Sequence, residues 1–321
     1  MNTGVTGGFT PVLQRGTASV LDATLAPRLP LVLRRLAWSF VPLGIVLAVA
    51  GVVDGRTVLG EPVWVKPLKF SVSIALYAAA LAWLLARVRT SRPVRVAAAA
   101  ACAALLLEQV LISVQAGRGV RSHFNNATSF DAGVFTAMGA LVLVVWSATL
   151  VVAVACARHA PVDPVTRVVA VAGTWLVLLG ASVGFVLVAN HGHSVGAPDG
   201  GPGLPLVGWD RTVGDLRPGH FVGLHALQVL IAVAWVLGRK GAPQLRLPVL
   251  RAVAAAAAAL TVALTGQALL GQSVTSWSTV VVIAGTVGTA GLAAATGPGP
   301  SMRPHRRRRP LPVARVAEAG P

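Results

Sequence analysis

The sequence has few charged residues, acidic ones above all, and few cysteines, and each of these two shortages excludes a class of protein. Charged residues make up 12% of the 321 positions, against about 25% in soluble domains, which excludes an ordinary soluble fold. The only two cysteines, Cys102 and Cys156, lie inside apolar sequence, so neither a disulfide framework nor a CxxC metal site is available. Motifs of the HExxH, CxxCH and Walker types are absent as well.

Long apolar runs are what the sequence has in abundance. Hydrophobic residues reach 55% and the mean hydropathy is +0.73. Eight runs are each close to the ~20 residues that a membrane-spanning helix needs. They predict an all-α polytopic membrane helix bundle of about eight transmembrane helices. The third and seventh runs are rich in alanine, which predicts central packing helices, since small residues let helices approach closely in lipid. The runs are 37–54, 68–87, 95–116, 133–156, 166–189, 218–238, 250–270 and 275–296.

These runs divide the chain into four parts. Residues 1–36 are predicted to be a basic cytoplasmic segment, and the first helix an uncleaved anchor, since no cleavable signal peptide precedes it. Residues 37–157 and 158–296 form two four-helix halves. Residues 297–321, with the basic run RPHRRRRPLP, are predicted to be a disordered cytoplasmic tail.

Basic residues are distributed unevenly over the connecting segments. With both termini in the cytoplasm, the inner side holds 20 of the 27 basic and three of the 10 acidic residues, and the outer side holds seven of each. The net charge of +17 therefore lies on the inner face. Since cytoplasmic loops are enriched in Lys and Arg, this predicts a bacterial plasma-membrane protein that contacts the bilayer and its anionic lipid on the cytoplasmic face. A nucleic-acid partner is not needed to explain the charge. The Ala, Val, Leu, Gly and Arg bias is typical of GC-rich bacterial genomes.

A degenerate repeat relates the two halves. Residues 66–76, KPLKFSVSIAL, align with 217–227, RPGHFVGLHAL, and the preceding DGRTVLGE resembles DRTVGD. We interpret this as a duplication of four helices. Since four helices return the chain to its starting side, both halves would have the same orientation and a pseudo-axis along the membrane normal. Chance similarity between two apolar helix starts is the alternative.

Two ionisable residues inside apolar runs are candidates for chemistry. At 1.5 Å per residue, His225 is predicted to lie ~10 Å and Glu108 ~12 Å below the outer ends of their helices. Intramembrane ionisable groups usually face the bundle interior and pair with one another. We therefore predict a Glu108–His225 pair, either as a proton-labile or catalytic pair or as a structural hydrogen bond.

The outer segments carry a second set of candidates, for binding an anionic or lipidic ligand. Lysine and arginine bind anions, and Asn and Asp supply turns and hydrogen bonds. Snorkelling of the lysines at the interface is the structural alternative. The set is Lys66, Lys69, Arg118, Arg121, His123, Asn126, Asp131, Asp215, Arg217, His220 and Gln228.

Histidines of the outer side give a third option, a metal or haem site. His191 and His193 form an H-x-H pair, and His220 and His225 follow on the sixth helix. Zinc takes four ligands of this type, and two histidines on facing helices can bind haem. H-x-H alone is a weak signal, so zinc, haem or no cofactor all stay open.

Three segments together resemble a family of uncharacterised bacterial multi-pass membrane proteins. They are WVKPLKFSVSIALY, GRGVRSHFNNATSFD and GDLRPGHFVGLHALQ. The resemblance covers most of 60–235 and implies an integral membrane protein, without an activity.

Three interpretations of function remain open at this point. The first is a polar site on the extracytoplasmic side that binds an anionic or lipidic ligand or a metal, with or without catalysis. The second is a proton-coupled transporter built from two repeats, although few polar residues lie in the inner halves of the helices. The third is a structural or sensory membrane protein. We also predict that the outer loops fold together, because their Arg, Asp and His side chains would otherwise lie unpaired.

Overall fold

The fold is an all-α helix bundle. The structure is a computed structural model of the chain, and it describes residues 28–239 and 243–296. Most of the predicted basic N-terminal segment and the whole predicted tail lie outside these residues. Helices and strands in the described part, in chain order, are α1 Leu29–Val53, β1 Thr57–Val58, β2 Glu61–Pro62, α2 Val65–Leu85, α3 Arg92–Gly117, α4 Ser129–Arg158, α5 Pro164–Ala189, β3 Ser194–Val195, β4 Gly214–Asp215, α6 Arg217–Arg239, α7 Pro243–Leu269 and α8 Trp277–Thr296.

All eight predicted helices are present in the described part of the chain. Seven of them, α1 to α7, are long and apolar enough to cross a membrane, each with a mean hydropathy of at least 1.8 over its most apolar window. In α8 the apolar run that meets this test is shorter, Trp277–Gly288. The chain is therefore a multi-pass membrane protein.

Local sequence explains where several helices begin. The Thr128 hydroxyl accepts a hydrogen bond from the Asp131 backbone N–H at the start of α4, at 3.1 Å. Asp163 accepts one from the Thr166 N–H at the start of α5, at 2.8 Å, and Pro164 follows it in the first turn. These side chains satisfy N–H groups that have no partner within the helix. Hydrogen bonds from Thr166, opposed by partial burial, lower the pKa of Asp163.

Glycines bring α5 and α6 into close contact. A Cβ atom added at Gly223 would lie 2.4 Å from the Gly180 Cα, and one added at Gly173 would lie 2.5 Å from a Leu227 methyl group. Small residues at such a crossing let the two backbones approach and gain packing in lipid. The same approach lets His220 Nδ1 reach the Gly180 carbonyl at 2.7 Å.

The two alanine-rich helices differ in burial. In α3, 44% of the apolar window is buried, as expected for a central helix, but in α7 the share is 11%. The prediction of a central α7 is therefore wrong. Alanine permits close approach but does not require it, and α7 packs mainly on α6 and α8.

One end of the bundle, the predicted cytoplasmic end, is closed by an apolar cluster. Leu84 and Ala98 are fully buried there, and Leu33, Val94 and Cys156 pack around them. This cluster joins α1, α2, α3 and α4 close to their predicted cytoplasmic ends. Lys66 on α2 and Glu108 on α3 lie toward the opposite ends of these helices.

The order of elements recurs along the described chain. One helix, two short strands and three helices occur from α1 to α4, and again from α5 to α8. β1 and β2 pair as an antiparallel hairpin, and β3 pairs antiparallel with β4 across a longer loop.

Candidate functional site

The outer loops fold together over the bundle, as predicted. We call residues 54–64, 118–128 and 190–216 the outer cap. The Arg121 guanidinium lies 2.8 Å from the Asp199 carboxylate and joins the second segment to the third. The Lys69 ammonium, at the start of α2, donates to the Val207 carbonyl at 3.1 Å. The cap is thus held by contacts between segments far apart in sequence.

Most of the predicted anion-binding cations already have a carboxylate partner. Lys69 pairs with Glu61 at 3.0 Å, where both side chains are about one-third exposed, and Arg217 pairs with the buried Asp215 at 2.6 Å. Arg217 also donates to the Gly208 carbonyl at 2.5 Å. These cations hold the cap together.

A second ion pair organises the start of α4. Asp131 is 2% exposed, and its carboxylate accepts hydrogen bonds from Gln115, Arg118 and Thr128 at 2.9, 2.5 and 2.7 Å. Since every bond runs to the end of α3 or to the cap of α4, the group joins these two helices. Asn126, also predicted as a ligand, is exposed on the same loop.

Asp54, at the outer end of α1 and the edge of the cap, is a further carboxylate that has an ion-pair partner and a hydrogen-bond donor within the protein. Its carboxylate lies 2.7 Å from Arg56 and accepts from the Trp64 indole N–H at 2.7 Å. These hydrogen bonds, that of Arg56 first, hold the pKa of Asp54 well below its ordinary range.

Lys66, His123 and Glu108 form a cluster with unmet hydrogen-bonding capacity. The Lys66 ammonium lies 3.1 Å from His123 Nδ1, and His123 Nε2 lies 3.6 Å from Glu108 Oε1. Glu108 is 2% exposed, and neither of its carboxylate oxygens has a hydrogen-bond partner. A buried polar group without a partner costs free energy, which makes this cluster the first candidate for a function.

The protonation of His123 follows from its surroundings. Burial, together with the positive charge of Lys66 and the neighbouring His220, lowers the pKa of His123 well below its ordinary value. The neutral ring then has one donor and one acceptor nitrogen. Because an ammonium can only donate, Nδ1 is the acceptor, and the N–H lies on Nε2, toward Glu108.

Aromatic side chains surround the same imidazole. The ring centroids of Phe70, Phe124 and Phe135 lie 6.0, 6.3 and 6.3 Å from that of His123. They turn the loop inward, so that a residue between two helices reaches the depth of Glu108 on α3.

The predicted Glu108–His225 pair is wrong. His225 Nδ1 faces the Phe221 carbonyl of its own helix at 3.0 Å, which places the ring proton there, and Nε2 faces the Ser73 hydroxyl at 3.2 Å. A similar depth along two helices does not decide which helices are neighbours. Here α6 presents His225 to α2.

The four histidines predicted as metal ligands do not come together. His191 is exposed. His193 lies 3.6 Å from Asp199 and 3.7 Å from Asp215, and burial, with Arg217 next, lowers its pKa. His220 binds a backbone carbonyl and His225 a serine, as described above. Across residues 28–239 and 243–296, no group of three or more His, Cys, Asp and Glu side chains is arranged to hold a metal ion.

Gln228 is also placed away from the cluster. It is half-buried on α6, and its amide lies against the carbonyls of Leu224 and His225 in its own helix. Its neighbourhood therefore does not mark it as a ligand-binding residue.

Sequence reasoning missed one polar contact in the middle of the bundle. The Tyr77 hydroxyl lies 3.2 Å from the Thr149 hydroxyl, beside a cavity of about 10 Å³ that Thr174 also lines. A cavity of this size holds about one water molecule. The sequence places Tyr77 on the same helical face as Lys66 and Ser73, but it does not show that Thr149 on α4 is the partner of Tyr77.

No protein-family model, no curated protein and no solved structure matches the chain. The fold and the cluster define the class, a multi-pass membrane protein. Its function has to be argued from the cluster itself.

Proposed function

We propose that the protein binds an anionic group on the outer side of the membrane, at the ammonium of Lys66. The observation that carries the proposal is the pairing pattern of the cations. Lys69 and Arg121 each lie within 3.0 Å of a carboxylate, whereas the partner of Lys66 in the described structure is the neutral imidazole of His123. An ammonium has three N–H donors. Lys66 therefore has donors left for a ligand, unlike Lys69 and Arg121 beside it.

The start of α2 adds to this preference. Trp64 precedes the helix without a capping hydrogen bond from its side chain, and the first turn contains no acidic residue. By contrast, the Asp215 carboxylate accepts the Arg217 N–H at the start of α6, at 2.9 Å. Unpaired N–H groups and the positive end of the helix dipole favour a negative charge beside Lys66.

Other cations contribute at longer range. Lys66 is in electrostatic range of Arg121 and Arg217. Arg121 belongs to the outer cap, and Arg217 contacts it through the Gly208 carbonyl. A headgroup of an outer-leaflet lipid and a small dissolved oxyanion share the chemistry that this arrangement recognises. The proposal is therefore an anionic oxygen group, and the experiment distinguishes the two sources.

Proton-coupled transport, the second interpretation, needs a path through the inner half. The buried cluster around Leu84, Leu33 and Val94 is apolar and lies across that half. This observation favours a binding site that opens to one side only.

The test measures binding of two probes to purified protein in a non-ionic detergent. The probes are methanesulfonate, as a dissolved oxyanion, and short-chain phosphatidylglycerol, as a lipid headgroup. We expect Lys66→Gln to weaken binding by about 10- to 150-fold, since a charge-assisted hydrogen bond contributes about 1.5–3 kcal/mol. Binding of the lipid alone would identify a headgroup site, and binding of both would show that the anionic group suffices.

Lys69→Gln is the matched control, because Lys69 lies one turn further along α2 and is already paired with Glu61. It should change affinity by less than about threefold. Equal losses in the two variants, or no binding of either probe to the wild type, would contradict the proposal and leave a structural or sensory role.

We also propose that the protein lies in a bacterial plasma membrane with both termini in the cytoplasm and anionic lipid at the inner face. The Lys and Arg distribution supports this orientation. So do two arginines that lie over tryptophan rings at the predicted inner helix ends, Arg87 over Trp83 at 4.3 Å and Arg239 over Trp235 at 4.7 Å. Trp and Arg are favoured at that depth, where the ring lies in the interface and the charge reaches water.

Cysteine labelling tests the orientation. Leu206, in the outer cap, and Val162, in the α4–α5 loop, are both 91% exposed, so they form a matched pair. In a background that lacks the native cysteines, an impermeant maleimide added to intact cells should label Leu206→Cys and leave Val162→Cys unlabelled. The reverse pattern would invert the topology.

The duplication remains a proposal that the fold supports. The element order recurs, and the two arginine–tryptophan contacts occupy matching ends of α2 and α6. Asp54 and Asp210, aligned in the repeat, each accept the backbone N–H two residues later. We further propose, from the three motifs, that the chain belongs to the bacterial multi-pass family they resemble.

A further inference from the structure

We infer that binding of an anion at Lys66 is coupled to the uptake of one proton by Glu108. This inference rests on the proposed function and gives the site a means of regulation. It begins from the balance of charge among the groups that surround Lys66 and Glu108.

Lys66, the charged groups that interact with it and their ion-pair partners carry no net charge without a ligand. Four basic side chains lie in or beside the cluster, from α2, the α3–α4 loop and α6, and four carboxylates come from β2, α3 and the β3–β4 region. Four histidines lie beside them: His123, His193, His220, which faces the Gly180 carbonyl, and His225, which interacts with His220. Asp210 interacts with His193. The basic groups are Lys66, Lys69, Arg121 and Arg217, and the carboxylates are Glu61, Glu108, Asp199 and Asp215.

An incoming monoanion breaks this balance. Glu108 is in electrostatic range of Lys66, so its carboxylate repels an anion bound at that ammonium. The site is partly dehydrated, and like charges close together in a medium of low dielectric are costly. A proton taken from the solvent restores neutrality and removes the repulsion.

Glu108 is the carboxylate best placed to accept this proton. Asp199 accepts two backbone N–H groups, from His193 and Ser194, at 2.9 and 3.0 Å, besides its pair with Arg121. Those donors stabilise the ionised form of Asp199. Glu108 accepts no hydrogen bond on either oxygen, so protonation there sacrifices none.

His123 lies between Lys66 and Glu108, with Nε2 facing the carboxylate at 3.6 Å and Nδ1 facing the ammonium at the cap. A proton from the solvent forms one O–H bond at a Glu108 oxygen, while Nδ1 keeps its lone pair toward the ammonium and Nε2 keeps its proton. The imidazole ends neutral and the net change is one proton gained by the protein, with no redox partner.

The experiment counts protons during binding. Methanesulfonate and short-chain phosphatidylglycerol each keep one negative charge across the neutral pH range, so neither takes up a proton itself. Calorimetric titrations in two buffers of different ionisation enthalpy give the number of protons taken up per anion. We expect about one for the wild type, with Kd rising about tenfold per pH unit while Glu108 is ionised in the free protein.

Glu108→Gln imitates the protonated acid. It should bind the anion with no proton uptake, with a Kd independent of pH and close to that of the wild type at low pH. Asp54→Asn is the matched control, because this carboxylate pairs with Arg56 at the outer end of α1, outside the cluster. It should keep both the proton uptake and the pH dependence of the wild type.

The outcomes separate the two proposals. Anion binding without proton uptake in the wild type would overturn the coupling and leave the proposed function intact. Proton uptake that persists in Glu108→Gln would overturn the assignment to Glu108. Absence of binding of both probes, in a wild type that elutes as a single species and unfolds cooperatively, would overturn the proposed function and the coupling with it.

Discussion

The crossing of α5 and α6 at Gly180 and Gly223 can be tested by adding one methyl group. In Gly223→Ala the new Cβ would lie 2.4 Å from the Gly180 Cα and 3.2 Å from the Leu176 carbonyl oxygen. Ordinary contact begins near 3.4 Å. Since the obstacle is backbone and not a flexible side chain, the two helices must separate by about 1 Å, the difference between 3.4 and 2.4 Å.

The cost can be worked from three contributions. Overpacking costs about 1–3 kcal/mol. Separation also lengthens the hydrogen bond from His220 to the Gly180 carbonyl, with a loss of about 1 kcal/mol. Alanine in place of glycine in a helix returns about 1 kcal/mol. The expected net loss in the free energy of unfolding is therefore about 1–3 kcal/mol.

The assay is reversible unfolding in detergent, with Gly139→Ala as the control. Gly139 lies in α4 with nothing within 4 Å of its added Cβ, so the control should be neutral or slightly stabilised. If the two variants had the same stability, α5 and α6 would not cross at Gly180 and Gly223, and the placement of His220 would fail with them.

Two further predictions concern the outer half. Asp131→Asn leaves Arg118 without its carboxylate and weakens the cap of α4, so it should lower the free energy of unfolding by about 1–3 kcal/mol. Asn126→Ala on the same loop should change it by less than about 0.5 kcal/mol. Equal effects would contradict the role of Asp131. Burial lowers the pKa of His123 in the folded state. Below pH ~6.5 the unfolded chain therefore binds more protons at this residue than the folded protein does. The free energy of unfolding should consequently fall as the pH drops through that value, by up to about 1.4 kcal/mol per pH unit. His123→Gln should remove this part of the slope between pH 7.5 and 5.5, and an unchanged slope would place the ring in water.

The helices could be predicted from the sequence because lipid imposes a strong constraint on it. Every spanning segment must be apolar over about 20 residues, so the runs are visible without any knowledge of packing. Seven of the eight described helices begin before the predicted run, and three are longer at both ends, as is α4, which begins at Ser129 and ends at Arg158. These added residues lie where the helix leaves the apolar layer, and hydropathy does not report on them.

The candidate site could be predicted only in part. The sequence identified Glu108, Lys66 and His123 as unusual residues at the outer side, because ionisable groups in apolar surroundings are costly. It assigned Glu108 the wrong partner, since helix depth does not give helix adjacency. The inward turn of the loop that carries His123 depends on contacts with Phe70 and Phe135, which are far from one another in sequence.

The proposed duplication explains why the site lies in one half only. Lys66 and Arg217 occupy matching positions, each at the first turn of a helix that follows an acidic residue. In the second half Asp215 comes two residues before Arg217 and pairs with it at 2.6 Å. In the first half the β1–β2 hairpin places Glu61 five residues before Lys66, and Glu61 pairs with Lys69 instead. The two halves therefore differ in the distance along the chain between the acid and the first basic residue of the helix. At two residues Asp215 pairs with Arg217, whereas at five residues Glu61 pairs with Lys69 and leaves the ammonium of Lys66 open to a ligand.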